Sequence, residues 1–215
     1  MSTGLLDVLA DAASPRDGRI TGVVIGIVTN NKDEEGLGRV KLKFPWLSAT
    51  HESNWARVAA PMAGNDRGIY FLPEVDDEVL VLFERGDVRF PFVIGALWNG
   101  KDKAPADNAD GKNAVRVIKS RSGHVIRLND TSGAETVEVI DASGKNRVVI
   151  DTAANTVTVS AGKNIVLAAP QGEIVLDARK ITIKASDSAG ITARQAIVIK
   201  ADKGLVLEGS TIDLN

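Results

Sequence analysis

The sequence predicts an all-β protein built from two successive architectures, a small closed barrel and then a repetitive stack of short strands. Two observations predict it. All nine aromatic residues (Phe44, Trp46, Trp55, Tyr70, Phe71, Phe83, Phe90, Phe92 and Trp98) fall between positions 44 and 98. In the later part of the chain, short apolar runs recur at nearly constant spacing. Globular cores are filled in part by rings that bury about 150–250 Å² each. The first half can therefore build a conventional core, whereas the 117 residues after Trp98 must manage with Val, Ile, Leu and Ala.

Within residues 19–98, strand signals appear at 23–28, 39–44, 55–58, 68–72, 78–83 and 92–97. Each run is short, rich in β-branched or aromatic residues and bounded by turn formers. Residues 30–38 gather Asn, Asp, Glu and Gly into a hairpin-like loop, and Arg85-Gly86-Asp87 forms a tight connection between two apolar runs. Five or six strands in some 80 residues suit a small closed barrel, for which the oligonucleotide/oligosaccharide-binding (OB) type is the usual solution. Residues 99–114 are rich in Asp, Asn, Lys, Gly and Ala with Pro105, the composition of a solvated linker.

The repeat occupies residues 115–215. Its clearest copies are Val157-Thr158-Val159-Ser160-Ala161, Ile165-Val166-Leu167-Ala168-Ala169, Ile174-Val175-Leu176-Asp177-Ala178, Ile181-Thr182-Ile183-Lys184-Ala185, Ile197-Val198-Ile199-Lys200-Ala201 and Leu205-Val206-Leu207-Glu208-Gly209. Looser copies lie at 148–152, near Ile191 and at 212–214, giving a mean spacing of 8 residues. A five-residue strand presents two apolar side chains and one small one on a face, and it cannot bury them alone. Neighbouring units must cover them, as in a solenoid. Three chains wound together add a layer to every face per unit, so twelve units rise roughly 56 Å at 4.7–4.9 Å per layer. A single chain coiling through three sides rises only about 20 Å. Short strands without aromatics favour the intertwined trimer, whose core would hold Val157, Val159, Ile165, Leu167, Ile174, Leu176, Ile181, Ile183, Ile197, Ile199, Leu205 and Leu207.

The formal net charge of −2 argues against a broad nucleic-acid footprint, and with no cysteine there is neither a disulfide framework nor a thiolate site. Residues 1–18 read as a short helix with Leu5, Leu6, Val8 and Leu9 on its apolar side. Asp7 and Asp11 interrupt them, so the segment lacks the continuous apolar core of a secretory signal. No apolar run approaches the roughly 20 residues of a membrane-spanning helix.

Candidate chemistry is sparse. Glu74, Asp76, Asp77 and Glu78 contain carboxyls of the kind that glycoside cleavage needs, but Asp in this density before a strand suits a solvated turn. The two histidines, His51 and His124, are far apart in sequence and offer little support for a nucleophilic triad. Lys41, Lys43, Phe44 and Trp46 are compatible with oligonucleotide binding on a barrel face, yet the overall acidity favours core or interface roles for the two rings. Glu34-Glu35-Gly36-Leu37-Gly38 lacks the lysine of a phosphate loop and reads as a hairpin. No catalytic residue, metal ligand or cofactor is expected.

Several ordered segments resemble a known family. Gly38-Arg39-Val40-Lys41-Leu42-Lys43-Phe44-Pro45-Trp46-Leu47 followed by Asn54-Trp55-Ala56-Arg57-Val58 looks like the OB domain of tail-spike proteins. Pro61-Met62-Ala63-Gly64, the stretch Arg67-Gly68-Ile69-Tyr70-Phe71-Leu72-Pro73-Glu74-Val75-Asp76-Asp77-Glu78-Val79-Leu80-Val81 and the run Phe92-Val93-Ile94-Gly95-Ala96-Leu97-Trp98-Asn99-Gly100 are similar to the baseplate assembly protein V family of contractile phages and the valine-glycine repeat proteins of type VI secretion. The resemblance covers about residues 19–104, and the octad repeat resembles the same family's C-terminal needle.

That resemblance implies a non-enzymatic homotrimer whose barrels sit on a separate hub protein at the bottom of a tail tube, at the baseplate, with the needle pointing at the target cell envelope. Leu5, Leu6, Val8 and Leu9 are the expected hub contact. Ser210, Thr211, Ile212, Asp213, Leu214 and Asn215 are expected to form a flat platform for a separate conical tip protein of the proline-alanine-alanine-arginine (PAAR) repeat type. There is no room for a fused hub or a lysozyme-like insertion between barrel and needle. A monomeric extracellular β-helix acting on polysaccharide is the competing reading, and its projecting cleft loops are missing, since the turns between repeats are only about three residues long.

Overall fold

The computed structural model describes residues 19–48 and 50–213. The expected N-terminal helix, Leu214 and Asn215 therefore lie outside the described residues. The chain divides into two units, Met1–Gly162 and Lys163–Asn215. Among the described residues every regular element is a strand, apart from one 3₁₀ turn at Glu84–Gly86.

The first part of unit one is a closed five-stranded barrel. Strands β1 (Val24–Asn30), β2 (Arg39–Lys43), β3 (Ala56–Val58), β6 (Glu78–Phe83) and β7 (Pro91–Ala96) run in the order β1-β2-β3-β7-β6, and β6 returns to β1. All pairings are antiparallel except β3 with β7, which is parallel. This is the closure of an OB-type barrel. Bulges at Val28/Asn30 on β1 and, opposite Leu80/Val81, at Ile94 on β7 break the register, and such bulges bend strands sharply enough to close a small sheet.

The core follows from alternation. Val40 and Leu42 on β2, Val79, Val81 and Phe83 on β6, and Val93 on β7 point inward with Val28, Phe44 and Ala56, and all are buried. Phe44 sits at the centre, its ring 5.4 Å from that of Phe83 and 5.9 Å from that of Trp46. Gly26 faces this ring: a Cβ there would lie 3.1 Å from Phe44 Cε1 and 3.2 Å from a Val81 methyl. Glycine is what lets β1 cross the aromatic centre.

Strand signals and strands agree closely at 39–44, 55–58, 78–83 and 92–97, and differ at 68–72. There the structure has only a two-residue hairpin, β4 (Ala63–Gly64) with β5 (Arg67–Gly68), and residues 69–72 leave the sheet. The reason is local. Asp66 and Gly68 take positive φ values of 52° and 152°, and a Cβ on Gly68 would lie 2.6 Å from the Met62 carbonyl oxygen. The chain turns where composition alone suggests extension, and Ile69, Tyr70 and Phe71 are left exposed.

The second part of unit one is a five-stranded antiparallel meander: β8 (Val115–Lys119), β9 (Val125–Asn129), β10 (Thr136–Ile140), β11 (Arg147–Asp151) and β12 (Thr156–Ser160). Each strand pairs with the next over all five residues. Gly123, Gly133, Gly144 and Asn155 occupy the four connections with φ values of 96°, 76°, 70° and 52°. Reversal within a few residues requires a left-handed residue, and Gly and Asn adopt it at the least steric cost. Arg121 Nη1, in the first of these turns, bonds Glu74 Oε2 on the barrel at 3.0 Å.

Unit two holds the remaining repeats. Residues 163–213 form no strand ladder, and every one of them is exposed in the single chain. Among the described residues the one backbone hydrogen bond here runs from Gly172 N–H to the Ala169 carbonyl, at 3.2 Å.

Candidate interaction surfaces

The meander has two chemically opposite faces, and its register decides which residues share each. On one face, Ile118, Ile126, Val139, Val148 and Val159 form one cross-strand column. Leu128, Val137, Ile150 and Val157 form the second, continued at the barrel-proximal edge by Arg116. These nine apolar side chains are 39–69% exposed. The opposite face carries Arg127, Glu138, Thr158 and Asp151 among a few aliphatics, and it is largely half-buried by its own cross-strand contacts. Arg127 Nε donates to Glu138 Oε2 there, and that bond holds the Arg127 guanidinium more firmly protonated than usual. The apolar side is thus the more exposed one, the reverse of what a finished soluble sheet shows.

Two of the expected core residues, Val157 and Val159, lie on this apolar face. The doublets Ile165/Leu167, Ile174/Leu176, Ile181/Ile183, Ile197/Ile199 and Leu205/Leu207 repeat the same spacing in the sequence of unit two, all exposed. Ser210, Thr211, Ile212 and Asp213 are likewise exposed. Leu5, Leu6, Val8, Leu9, Leu214 and Asn215 lie outside the described residues. Sequence reasoning missed Ile118, Ile126, Leu128, Val137 and Val139 as members of the stripe. The signal was present in the strict alternation of Val125-Ile126-Arg127-Leu128-Asn129 and Thr136-Val137-Glu138-Val139, obscured by turns longer than those of the later repeat.

The exit from the meander is fixed by a small polar cluster. Asp141 accepts hydrogen bonds from Ser143 Oγ at 2.8 and 2.9 Å and from Asn146 Nδ2 at 2.8 Å. These bonds, with Ser143 the principal contributor, hold its carboxyl below the usual range. Asn146 Oδ1 in turn accepts from Gly162 N–H at 3.0 Å. His124 Nδ1 accepts from Ala142 N–H at 3.2 Å, so this histidine ties two neighbouring turns together.

On the barrel, cations and rings alternate along the outer side of β2, β3 and β7. Arg39 and Lys41 lie 5.7 and 5.4 Å from the Trp55 ring, and Arg57 lies 5.4 Å from that of Phe92. Carboxylates already engage several of these cations. Asp33 grips Arg39 through two bonds of 2.8 and 2.7 Å, and Glu52 approaches Lys41 at 3.5 Å. Arg39 holds the Asp33 carboxyl far below its ordinary range. Arg89 likewise pulls Asp87 down to about 2. Of the two rings considered for oligonucleotide stacking, Phe44 is buried in the core. Trp46 is half exposed and donates its indole N–H to the Ile25 carbonyl at 3.2 Å.

The acidic run before β6 is a turn rather than a paired-carboxyl cleft. Asp77 Oδ2 accepts from the Glu74 N–H at 2.8 Å, Asp76 sits at φ 75°, Glu78 accepts from Asn99 Nδ2, and Glu74 meets Arg121. His51 Nδ1 lies 2.9 Å from Ser48 Oγ and 3.3 Å from Thr50 Oγ1 on the exposed loop after β2, and among the described residues no carboxylate is bonded to the ring. Among the described residues no group of three or more His, Cys, Asp or Glu side chains is placed to hold a metal ion. None of the described helices is long and apolar enough to cross a membrane.

A closed OB-type barrel followed by a five-stranded antiparallel meander with an open apolar stripe defines an all-β class of fold. Residues 24–98 match the family described as the type VI secretion system/phage-baseplate injector OB domain. The chain is 34% identical over 131 residues to the type VI secretion system spike protein VgrG3 of Vibrio cholerae serotype O1, covering 55% of this chain and 13% of that protein. It is 30% identical over 131 residues to the spike protein VgrG1a of Pseudomonas aeruginosa, covering 55% and 20% respectively. With VgrG2a of the same organism it shares 32% over 133 residues, covering 58% and 16%. The resemblance read from the barrel motifs is therefore shown, and the chain spans a fifth or less of the length of these relatives.

Proposed function

We propose that this chain is the structural central spike of a contractile injection machine, a homotrimer that caps the tube at the baseplate, joins a separate hub to a separate PAAR-type tip and pierces the target cell envelope. The observation that carries this reading is the apolar stripe of the meander. It starts at Ile118 and runs two residues per strand to Val157 and Val159, and the sequence of residues 165–207 repeats exposed apolar doublets of the same kind. A stripe two residues wide, at 3.2–3.4 Å per residue, is too narrow to seat a helix or a globular partner. It suits one wall of a slender triangular prism, whose other two walls are the same stripe of two further copies.

The similarity to proteins named as spikes supports a structural role for the chain. In such a prism each buried aliphatic side chain contributes about 1.5–3 kcal/mol, and residues 163–213 satisfy their backbone groups by pairing between chains. The separation of any strand would then break contacts to two other chains at once, which is what a shaft loaded along its axis requires. The platform at residues 210–215 and the hub contact at Leu5, Leu6, Val8 and Leu9 belong to this same reading.

Light scattering after size exclusion tests it. An elongated particle of about three times 22.7 kDa is expected. A compact particle of the single-chain mass overturns the spike and favours a monomeric β-helix acting on polysaccharide.

A further inference from the structure

The outer side of the barrel carries a cation that its own carboxylates leave unpaired. Strand register sets Arg57 on β3 between Arg39 on β2 and Phe92 on β7. Two residues before Arg57 and Phe92 stand Trp55 and Phe90. With Lys41 these side chains line a depression of about 450 Å³. Asn54 Nδ2 donates to the Arg89 carbonyl at 3.0 Å, tying the chain before Trp55 to the chain before Phe90. Asp33 and Glu35 hold Arg39, Glu52 holds Lys41 and Asp87 holds Arg89. Among the described residues, Arg57 alone of these four cations has no carboxylate within salt-bridge distance. It is exposed, with its guanidinium 5.4 Å from the centre of the Phe92 ring. A ring engages the flat face of a guanidinium and leaves the N–H groups along its edge free to fork onto a carboxylate.

We propose that this depression seats an extended segment of a different protein, with one carboxylate of that segment on Arg57 and its apolar side chains on Trp55 and Phe90. Two residues of extended chain span about 6.6 Å. That distance separates the Arg57 and Phe92 row from the Trp55 and Phe90 row, and it also separates side chains i and i+2 on one face of a bound strand. Charge complementarity sets the number of carboxylates. Three of the four cations are already neutralised, and Glu84, exposed on the lining, repels a run of acids. A segment with a single Asp or Glu between apolar neighbours therefore fits better than an acidic tract. Nucleic acid fits worse still. It gains affinity by pairing successive phosphates with free cations, and the chain carries a net charge of −2. The site belongs to the barrel alone and is independent of whether residues 163–213 form a prism.

Fluorescence anisotropy on the full-length chain tests the seat. The probe is a labelled peptide with Glu at its centre, Leu two residues to either side and Ser elsewhere. Saturable binding is expected, weakened about tenfold or more by Arg57→Gln and by a Gln at the centre of the peptide. Arg57→Glu is expected to reverse the preference and take the peptide with a central Lys. Near-ultraviolet circular dichroism of the barrel aromatics reports that both variants fold. Absence of saturable binding to the wild type, or equal affinity in Arg57→Gln, overturns the proposal. Tighter binding of an oligothymidylate of about twelve nucleotides makes the face a nucleic-acid surface and overturns it as well. A particle mass altered by Arg57→Gln makes the face a contact between copies of this chain, with the same consequence. The mass of the wild-type particle tests the spike separately, so either idea can fail while the other survives.

Discussion

Arg39 closes on Asp33 through two bonds, Nε to Oδ2 at 2.8 Å and Nη2 to Oδ1 at 2.7 Å, and the same carboxylate caps the β1–β2 loop. Asp33 also accepts from the backbone N–H groups of Glu35, Leu37 and Arg39, and its side chain is only 3% exposed. One residue thus sets both the loop and the position of a barrel cation. Bidentate arginine–carboxylate pairing of this kind gives geometric specificity as well as energy.

Acid should therefore loosen the barrel in a defined window. Asp33 and Asp87 both have folded-state values depressed below 3.8, Asp87 to about 2 and Asp33 further. Depressed carboxyls stabilise above their unfolded value, and the stabilisation is lost as pH falls through the folded one. The melting temperature followed by tryptophan fluorescence is expected to hold steady from pH 7 to about 5, with the contribution of these two groups declining between about pH 4 and 2. Asp33→Asn should lower stability at neutral pH and flatten the acid slope. An unchanged slope in that variant would assign the acid sensitivity to other groups.

The aromatic centre offers a second measurement. Phe44→Ala removes the ring that packs on Phe83 and is expected to cost about 3–5 kcal/mol. Gly26→Ala forces a methyl against the same ring and is expected to cost about 1–3 kcal/mol. Because the two share one contact, the double variant should lose less than the sum. Additive losses by chemical denaturation would mean that Gly26 is held for another reason.

Turn handedness predicts opposite outcomes for two glycines. Gly144 sits at φ 70°, so Gly144→Ala should destabilise the meander by about 1–2 kcal/mol. Gly204 lacks that conformation and has nothing within 4 Å of its added Cβ. Gly204→Ala should be neutral, or stabilising by about 0.4–1 kcal/mol through the unfolded chain. Thermal melts of the two variants side by side check this, and equal losses would refute the distinction.

Charge exchange on the repeat tests its phase. Lys184→Glu and Asp177→Lys lie one residue out of step with Ile183 and Leu176, hence on the outer side of the proposed prism. Each is expected to change stability by less than about 0.5 kcal/mol and to leave the particle mass unaltered. A monomer from either would place these side chains inside.

Alternation, aromatic placement and turn residues made most of the barrel legible in the sequence. They marked four of its five strands closely, and the doublets of 157–207 stood out because each copy repeats one short pattern. Residues 69–72 misled because apolar β-formers signal extension whether or not a sheet receives them, and only the positive φ of Gly68 takes the chain away. Residues 115–147 were read as part of one intertwined repeat. Five-residue apolar alternation is the same whether a strand pairs with its own chain or with another. What the sequence by itself determined is the two-column apolar stripe and the aromatic core, since both depend on periodicity alone. Where the chain passes from strands paired with one another to residues 163–213, which form no strand ladder, was decided only by the tertiary structure. That boundary rests on the sign of φ at Gly123, Gly133, Gly144 and Asn155 and its reversal after them, and glycine, which adopts either sign freely, does not announce which one it takes.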